Sequence, residues 1–270
     1  MTLTTLRLSS SGLKTTYRDH GSGEPIVLLH GVGMQSAAWG PQITALRERY
    51  RVIALDMPGH GSSDPLPTGS QLPDFVAWCQ EAIQALELGA VNLAGHSMGA
   101  LIAGGVAVSF PELVRRVALL NGVYCRDSVG SDAVIARSSE ISAGKIDLKT
   151  PLKRWFGNSP SEKMAQQQVA EWLGAVNPTG YATAYSAFAQ GDATYADQLT
   201  LITCPFLAMT GDGDPNSTPA MAVAMAEQMP HGMAVVIKGH KHMINLTNAS
   251  EVNEHLFNWL EQTTAEETLP

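Results

Sequence analysis

Gly95-His96-Ser97-Met98-Gly99 has the pattern G-x-S-x-G. A serine held between glycines on a sharp strand-to-helix turn is a candidate nucleophile. Its hydroxyl is a poor nucleophile at neutral pH and needs a base to take its proton, a task suited to histidine. Of the histidines, His240 and His242 lie just past the last strand expected in the core, and both could reach one rim from an extended loop. The imidazole in turn needs a carboxylate to fix its tautomer and balance its charge. Gly211-Asp212-Gly213-Asp214-Pro215 offers two carboxylates directly after an apolar run. Asp214 lies at the usual distance past that strand, with Asp212 as its rival; Asp-Gly and Asp-Pro are also ordinary turn chemistry. The third requirement is a pair of N–H donors for developing negative charge. The backbone N–H of Met98, at the start of the following helix, is one candidate. Val32, in His30-Gly31-Val32-Gly33, is the other. Three further residues are read as structural. His30 braces this loop, Asp56 points inward from the turn Asp56-Met57-Pro58-Gly59-His60-Gly61, and His96 faces the core or lines a pocket without acting as the base.

These groups need strands to carry them to one edge. Ala90–Ala94 is short and apolar enough for a strand, and the run 100–108 reads as a buried helix, so Ser97 falls on the turn between them. Leu3–Leu8 and Leu13–His20 alternate polar and apolar residues and predict an antiparallel hairpin at a sheet edge. Pro25–His30 is a continuous apolar run, as in a strand buried on both faces. A helix near 37–50, a strand at 51–56, a helix near 72–88 and a strand at 114–121 follow. Residues 122–199 show helical periodicity interrupted at Gly130, Gly144, Pro151, Pro160, Pro178 and Gly191. Strands return at 205–210 and 234–238, with helices near 219–228 and 249–263, and the tail 264–270 is expected to fray. The alternation predicts an α/β fold: a mostly parallel twisted sheet with helices on both faces and a helical insertion. The core comprises 1–121 and 200–270, the insertion 122–199.

A chain of 270 residues, 44% of them hydrophobic, can bury one large core. Its net charge of −8 and scattered basic residues argue against a nucleic-acid partner. Three cysteines without a CxxC pair indicate neither a disulfide framework nor a zinc site, so a cytoplasmic protein without metal or organic cofactor is expected. The N-terminus has neither the basic region nor the apolar run of a signal peptide, and no apolar stretch is long enough to cross a bilayer. A homodimer is compatible with the sequence.

In order along the chain, His30-Gly31, Asp56-Met57-Pro58-Gly59-His60-Gly61-Ser62-Ser63, Gly95-His96-Ser97-Met98-Gly99, Gly211-x-x-Asp214 and Gly239-x-x-His242 resemble the landmarks of the α/β-hydrolase family. The order Ser97, Asp214, His242 is that family's order. The resemblance covers nearly the whole chain. It implies that His242, at the head of His242-Met243-x-Asn245-Leu246, is the base, and that residues 122–199 are a cap over the active site. More locally, Trp39-Gly40-Pro41-Gln42, Arg154-Trp155-Phe156 and Asn177-Pro178-x-Gly180-Tyr181 resemble 3-oxoadipate enol-lactonases; meta-cleavage C–C hydrolases and aminoacrylate-type hydrolases have similar caps.

The activity expected is that of a serine hydrolase cleaving a small ester, lactone or enol-lactone through an acyl-enzyme, with a C–C or aminoacrylate-type hydrolase as the alternative. A ligand receptor or a cofactor-independent oxygenase or lyase on the same fold is the reading from another class. Met34, Trp39 and Trp155 are the expected pocket residues. Phe156, Trp172, Tyr181, Tyr185 and Phe188 could add apolar walls or simply pack the cap onto the core. Arg126, Arg137, Lys153 and Arg154 could anchor a substrate acid.

Overall fold

The computed structural model describes residues 2–264. The tail expected to fray lies, but for Thr264, outside them. Eight strands form one sheet: β1 (Thr4–Arg7), β2 (Lys14–His20), β3 (Pro25–Leu29), β4 (Arg51–Leu55), β5 (Val91–His96), β6 (Val114–Leu120), β7 (Phe206–Gly211) and β8 (Gly232–Ile237). Their spatial order is β1-β2-β4-β3-β5-β6-β7-β8. The pairs β1–β2 and β2–β4 are antiparallel and the remaining pairs parallel, so the hairpin predicted for one edge is there.

The apolar runs explain the layers. Along β3, Ile26 and Leu28 join one buried cluster with Trp39, Leu256 and Trp259, while Val27 and Leu29 join the other with Phe75, Ile102 and Ala103. Successive side chains of a strand point to opposite faces, so a strand apolar at every position needs helices on both sides. Helices α1 (Gly40–Leu46) and α10 (Ala249–Leu260) cover one face; α2 (Leu72–Ala85), α3 (Met98–Ser109) and α8 (Pro219–Ala226) cover the other. The four-residue helix α9 (Ile244–Thr247) precedes α10.

The insertion leaves the sheet after β6 and returns before β7. It holds α4 (Ser128–Ser142), α5 (Lys149–Trp155), α6 (Pro160–Ala175) and α7 (Pro178–Gly191). Most of the residues read as interruptions mark helix ends instead. Pro160 and Pro178 open α6 and α7, where a missing N–H costs nothing. Gly130 and Pro151 lie in the first turns of α4 and α5, and Gly191 closes α7. Asp127, Ser159 and Asn177 accept backbone N–H groups at the starts of α4, α6 and α7. The helix expected over 37–50 is shorter. A 3-10 turn at Ser36–Trp39 precedes α1, which has Pro41 in its first turn.

Strand order places the site. After β4 the chain crosses back over β3 to form β5, so the connections diverge between β3 and β5. In an open parallel sheet, that point leaves a crevice at the carboxyl ends of the strands. The two loops that open there are 30–34, after β3, and the turn at Ser97, after β5.

Two buried neutral histidines brace the first of these loops. His30 Nε2 accepts the Met57 N–H at 2.9 Å while Nδ1 meets the Gly31 carbonyl at 2.8 Å. His60 Nε2 accepts the Gly33 N–H at 2.9 Å, and its Nδ1 meets the Pro58 carbonyl at 3.0 Å. Asp56, also buried, accepts from Thr16 Oγ1 and from the Ser36 N–H, both at 2.6 Å. Burial pushes His30 down to about 4. Burial, with His30 beside it, pushes His60 down to about 3. His96 is held at about 3, again mainly by burial.

These shifts carry a stability prediction. The unfolded chain takes up protons near the ordinary histidine value of 6.5, whereas the folded chain resists until about 4 or 3. Their contribution is therefore complete above 6.5 and lost as pH falls through that window, each group removing about 1.4 kcal/mol per pH unit. Thermal unfolding followed from pH 7.5 to 4.5 should show a level Tm down to about 6.5 and a steep fall below it. A level Tm throughout would contradict the neutral, buried assignment.

Candidate active site

Ser97 sits between β5 and α3 with φ 55° and ψ −114°, a backbone conformation that non-glycine residues rarely adopt. Strain of this kind persists only where the surroundings over-determine it. Here they do. A Cβ on Gly95 would lie 2.0 Å from the Gly99 carbonyl oxygen, and one on Gly99 would lie 2.2 Å from the Leu29 carbonyl oxygen. Without side chains at 95 and 99, α3 packs directly against β5 and β3, and Ser97 projects from the crest. Met98 is the first residue of α3, so its N–H has no acceptor within its own helix. In the facing loop, the N–H groups of Gly33 and Met34 are taken by His60 Nε2 and the Gly31 carbonyl, and Val32 lines the cavity above Ser97.

The two pairs of alternatives separate. His242 Nδ1 lies 2.8 Å from Asp214 Oδ2, and both residues are buried. His240 faces away, its Nδ1 2.9 Å from Thr247 Oγ1. Asp212 is exposed and accepts the Gly239 N–H at 2.8 Å, which holds the turn before the histidine loop.

Asp214 is fixed from all sides. Its Oδ2 also accepts from Asn121 Nδ2 at 2.8 Å and from Ser217 Oγ, while Oδ1 accepts the Asn216 N–H at 2.8 Å. Burial alone would raise this carboxyl, but the neighbouring His242 and these hydrogen bonds hold it well below the usual carboxylate range. His242 is clasped in turn. His96 Nε2 lies 2.8 Å from the His242 carbonyl oxygen, and the ring packs between His96, with centroids 5.1 Å apart, and Trp155, with centroids 5.6 Å apart and planes at 29°. Asn245 Nδ2 donates to the Ala38 carbonyl and Gln42 Nε2 to the Asn245 carbonyl, both at 3.0 Å, which ties the histidine loop to the 3-10 turn at Ser36–Trp39 and to α1.

Ser97 and His242 open into a cavity of about 480 Å³ between the sheet edge and the insertion. Trp155, Tyr181, Tyr185 and Phe188 line it, as do Arg126, Arg137 and Arg154; Lys153 does not. Phe156 and Trp172 pack into the core instead.

Two expected pocket residues are elsewhere. Trp39 is fully buried in the cluster under α1 and α10, because the 3-10 turn at Ser36–Trp39 carries the chain to the other face of the sheet. Met34 is also buried in the core and does not line the cavity. Reasoning from sequence also missed Asn121 and Ser217. The end of an apolar strand gives no sign that Asn121, with φ 48°, turns its amide onto a carboxylate 93 residues later. Among the described residues, no helix is long and apolar enough to cross a membrane.

Comparison with known proteins finds relatives along nearly the whole chain. The chain is 53% identical over 259 residues to the (E)-2-((N-methylformamido)methylene)succinate hydrolase of Acinetobacter baylyi, covering 96% of this chain and 98% of that one. It is 27% identical over 250 residues to the 2-(acetamidomethylene)succinate hydrolase of Mesorhizobium japonicum, covering 88% of each. The solved structure of the enol-lactonase from Burkholderia xenovorans superposes with a TM-score of 0.85 at 22% identity, covering 96% of this chain and 100% of that one. The sequence pattern of the Alpha/beta hydrolase family matches residues 26–255, from β3 through the strained serine turn, the insertion and the histidine loop. By fold, by the order of its landmarks and by this match, the chain belongs to the alpha/beta hydrolase family.

Proposed function

We propose that this chain hydrolyses the amide bond of a small N-acyl enamine carrying a succinate group. The observation that carries the reading is a cavity with Ser97 and His242 in its lining and three arginines along its walls, in a chain 53% identical to a hydrolase of such a compound. Ser97, His242 and Asp214 act as nucleophile, base and orienting acid. Ser97 Oγ attacks the acyl carbon as His242 Nε2 takes its proton, and the oxyanion is received by the N–H groups of Met98 and Val32. His242 then returns the proton to the departing nitrogen as the C–N bond breaks. Water, deprotonated by the same imidazole, frees the acid from Ser97 and restores the hydroxyl.

An enamine is a workable leaving group here. Its nitrogen lone pair is delocalised through the double bond toward a carboxyl group, which weakens the amide resonance that makes ordinary amides inert. The small formyl or acetyl group needs little space over Ser97, and the arginines match a dianion. Two carboxylates set against walls with three arginines favour this substrate over small esters and lactones without an acid group, and over an enol-lactone with a single one, because each added carboxylate can take a charge-assisted hydrogen bond from a guanidinium.

The test compares kcat/KM for (E)-2-((N-methylformamido)methylene)succinate, followed by its ultraviolet absorbance and by formate release, with p-nitrophenyl acetate and 3-oxoadipate enol-lactone. The dicarboxylic enamide should lead by about 100-fold, the worth of one to two charged hydrogen bonds. A lead for either ester-type substrate would return the assignment to carboxylic ester hydrolysis. Turnover of none of the three would favour a receptor or a non-hydrolytic enzyme.

A further inference from the structure

We infer that Trp155 is a positioning residue for the base: its indole face holds the His242 ring and stabilises the charge that ring gains when Ser97 gives up its proton. The inference rests on the roles proposed above for Ser97, His242 and Asp214, and not on the choice of substrate.

His242 is only 3% exposed, so an imidazolium formed there gains little from water. Asp214 balances it at one edge, 2.8 Å from Nδ1. The two aromatic neighbours of the ring differ in what they add. His96 is tilted by 57° against it and is itself neutral, so it contributes contact but little charge stabilisation. Trp155 stacks on it, with planes at 29° and centroids 5.6 Å apart. Stacking turns the electron-rich face of the indole, not its positive edge, toward the imidazole. Indole attracts a cation more strongly than the other aromatic side chains do, and the separation lies within the roughly 6 Å over which that attraction acts. The charge exists only while His242 carries the proton taken from Ser97 Oγ, before it passes to the departing nitrogen. The contact is therefore stronger in the transition state than in the resting protein, which is the condition for raising kcat.

The fold sets this side chain in advance. Trp155 is the last residue of α5 and lines the cavity. Both its neighbours are anchored. Arg154 Nη2 donates to Asn216 Oδ1 at 2.6 Å, and the Asn216 N–H donates to Asp214 Oδ1 at 2.8 Å. Phe156 is buried in the core, and Gln166 Nε2 donates to the Leu152 carbonyl at 3.0 Å, tying α5 to α6. One end of an insertion helix thus reaches the base through Trp155 and the loop of the acid through Arg154. The other aromatic residues of the lining pack on one another, Tyr181 on Tyr185 and Tyr185 on Phe188.

The experiment measures the rate at which a fluorophosphonate labels Ser97. The Oγ–P bond forms as the P–F bond breaks and fluoride leaves, and His242 takes the same proton as in hydrolysis. Position 155 alone carries tryptophan or its mono-, di- or trifluorinated analogue, which nearly keep the shape of the ring and withdraw electron density from its face. A wall that only packs does not respond to this series. Labelling should slow stepwise, by about fivefold with three fluorines, and by about threefold in Trp155→Phe and about tenfold in Trp155→Leu. Turnover of the dicarboxylic enamide should fall in the same order through kcat, with KM little changed. A trifluorinated protein that labels within about 1.5-fold of wild type would overturn the role of Trp155 and leave the proposed function standing. Labelling that follows the series in a protein inactive on the enamide would support Trp155 and overturn only the substrate. A wild type that is not labelled overturns both, because no imidazolium then forms for the indole to stabilise.

Discussion

Ser97→Ala should fold as the wild type does and lose about 10⁴-fold or more in kcat on whichever substrate proves best. The expectation of normal folding has a physical basis. Alanine keeps the Cβ, and the contacts that force φ 55° at this position are made by Gly95, Gly99 and the backbone of β3, not by the hydroxyl. The loss should fall on kcat, because the cavity walls that hold substrate are untouched. A residual rate above the uncatalysed reaction should remain from the donors at Met98 and Val32 and from binding alone. Intact mass spectrometry gives an independent readout: a fluorophosphonate should add once to the wild type and not to Ser97→Ala. Activity of the variant within tenfold of wild type would exclude an acyl-enzyme on Ser97 and point to direct activation of water by His242.

Much of this arrangement could be read from the chain, for reasons that differ by residue. Strand β3 announced itself because burial on both faces demands an apolar side chain at every position, and Ile26–Leu29 obey. The serine turn was legible because close packing of α3 on the sheet admits only glycine at 95 and 99. His30 and Asp56 were read as braces, and the hydrogen bonds they make are those of braces. Other features depend on tertiary placement and leave no local mark. Trp39 follows the loop that carries Val32, yet a single 3-10 turn sends it to the opposite face. Asn121 and Ser217 act only through Asp214. The substrate was the least legible feature. Under the proposed mechanism a serine, a base and two N–H donors treat an ester carbonyl and an enamide carbonyl alike, so the choice of scissile bond falls to the cavity walls, assembled from several helices of the insertion.

Asp214→Asn should lower kcat by about 10³- to 10⁴-fold, while Asp212→Asn should stay within about threefold of wild type. Both substitutions remove one negative charge within two residues of each other, so the comparison isolates position from charge. At 214 the carboxylate accepts from His242 Nδ1, Asn121 Nδ2 and Ser217 Oγ at one oxygen and from the Asn216 N–H at the other. An amide has one oxygen and one NH₂ group. If its oxygen faces His242, its NH₂ is set against the Asn216 N–H; if it turns over, NH₂ faces three donors and the imidazole loses the acceptor that fixes its tautomer. In either orientation the imidazolium formed during proton transfer has no counter-charge in a buried site. At 212, by contrast, the exposed carboxylate only accepts the Gly239 N–H, and an amide oxygen can do the same. Steady-state kinetics on the purified variants, with circular dichroism to establish that each is folded, measures the ranking. The reverse order would transfer the orienting role to Asp212 and would mean that the histidine loop rearranges in the working enzyme.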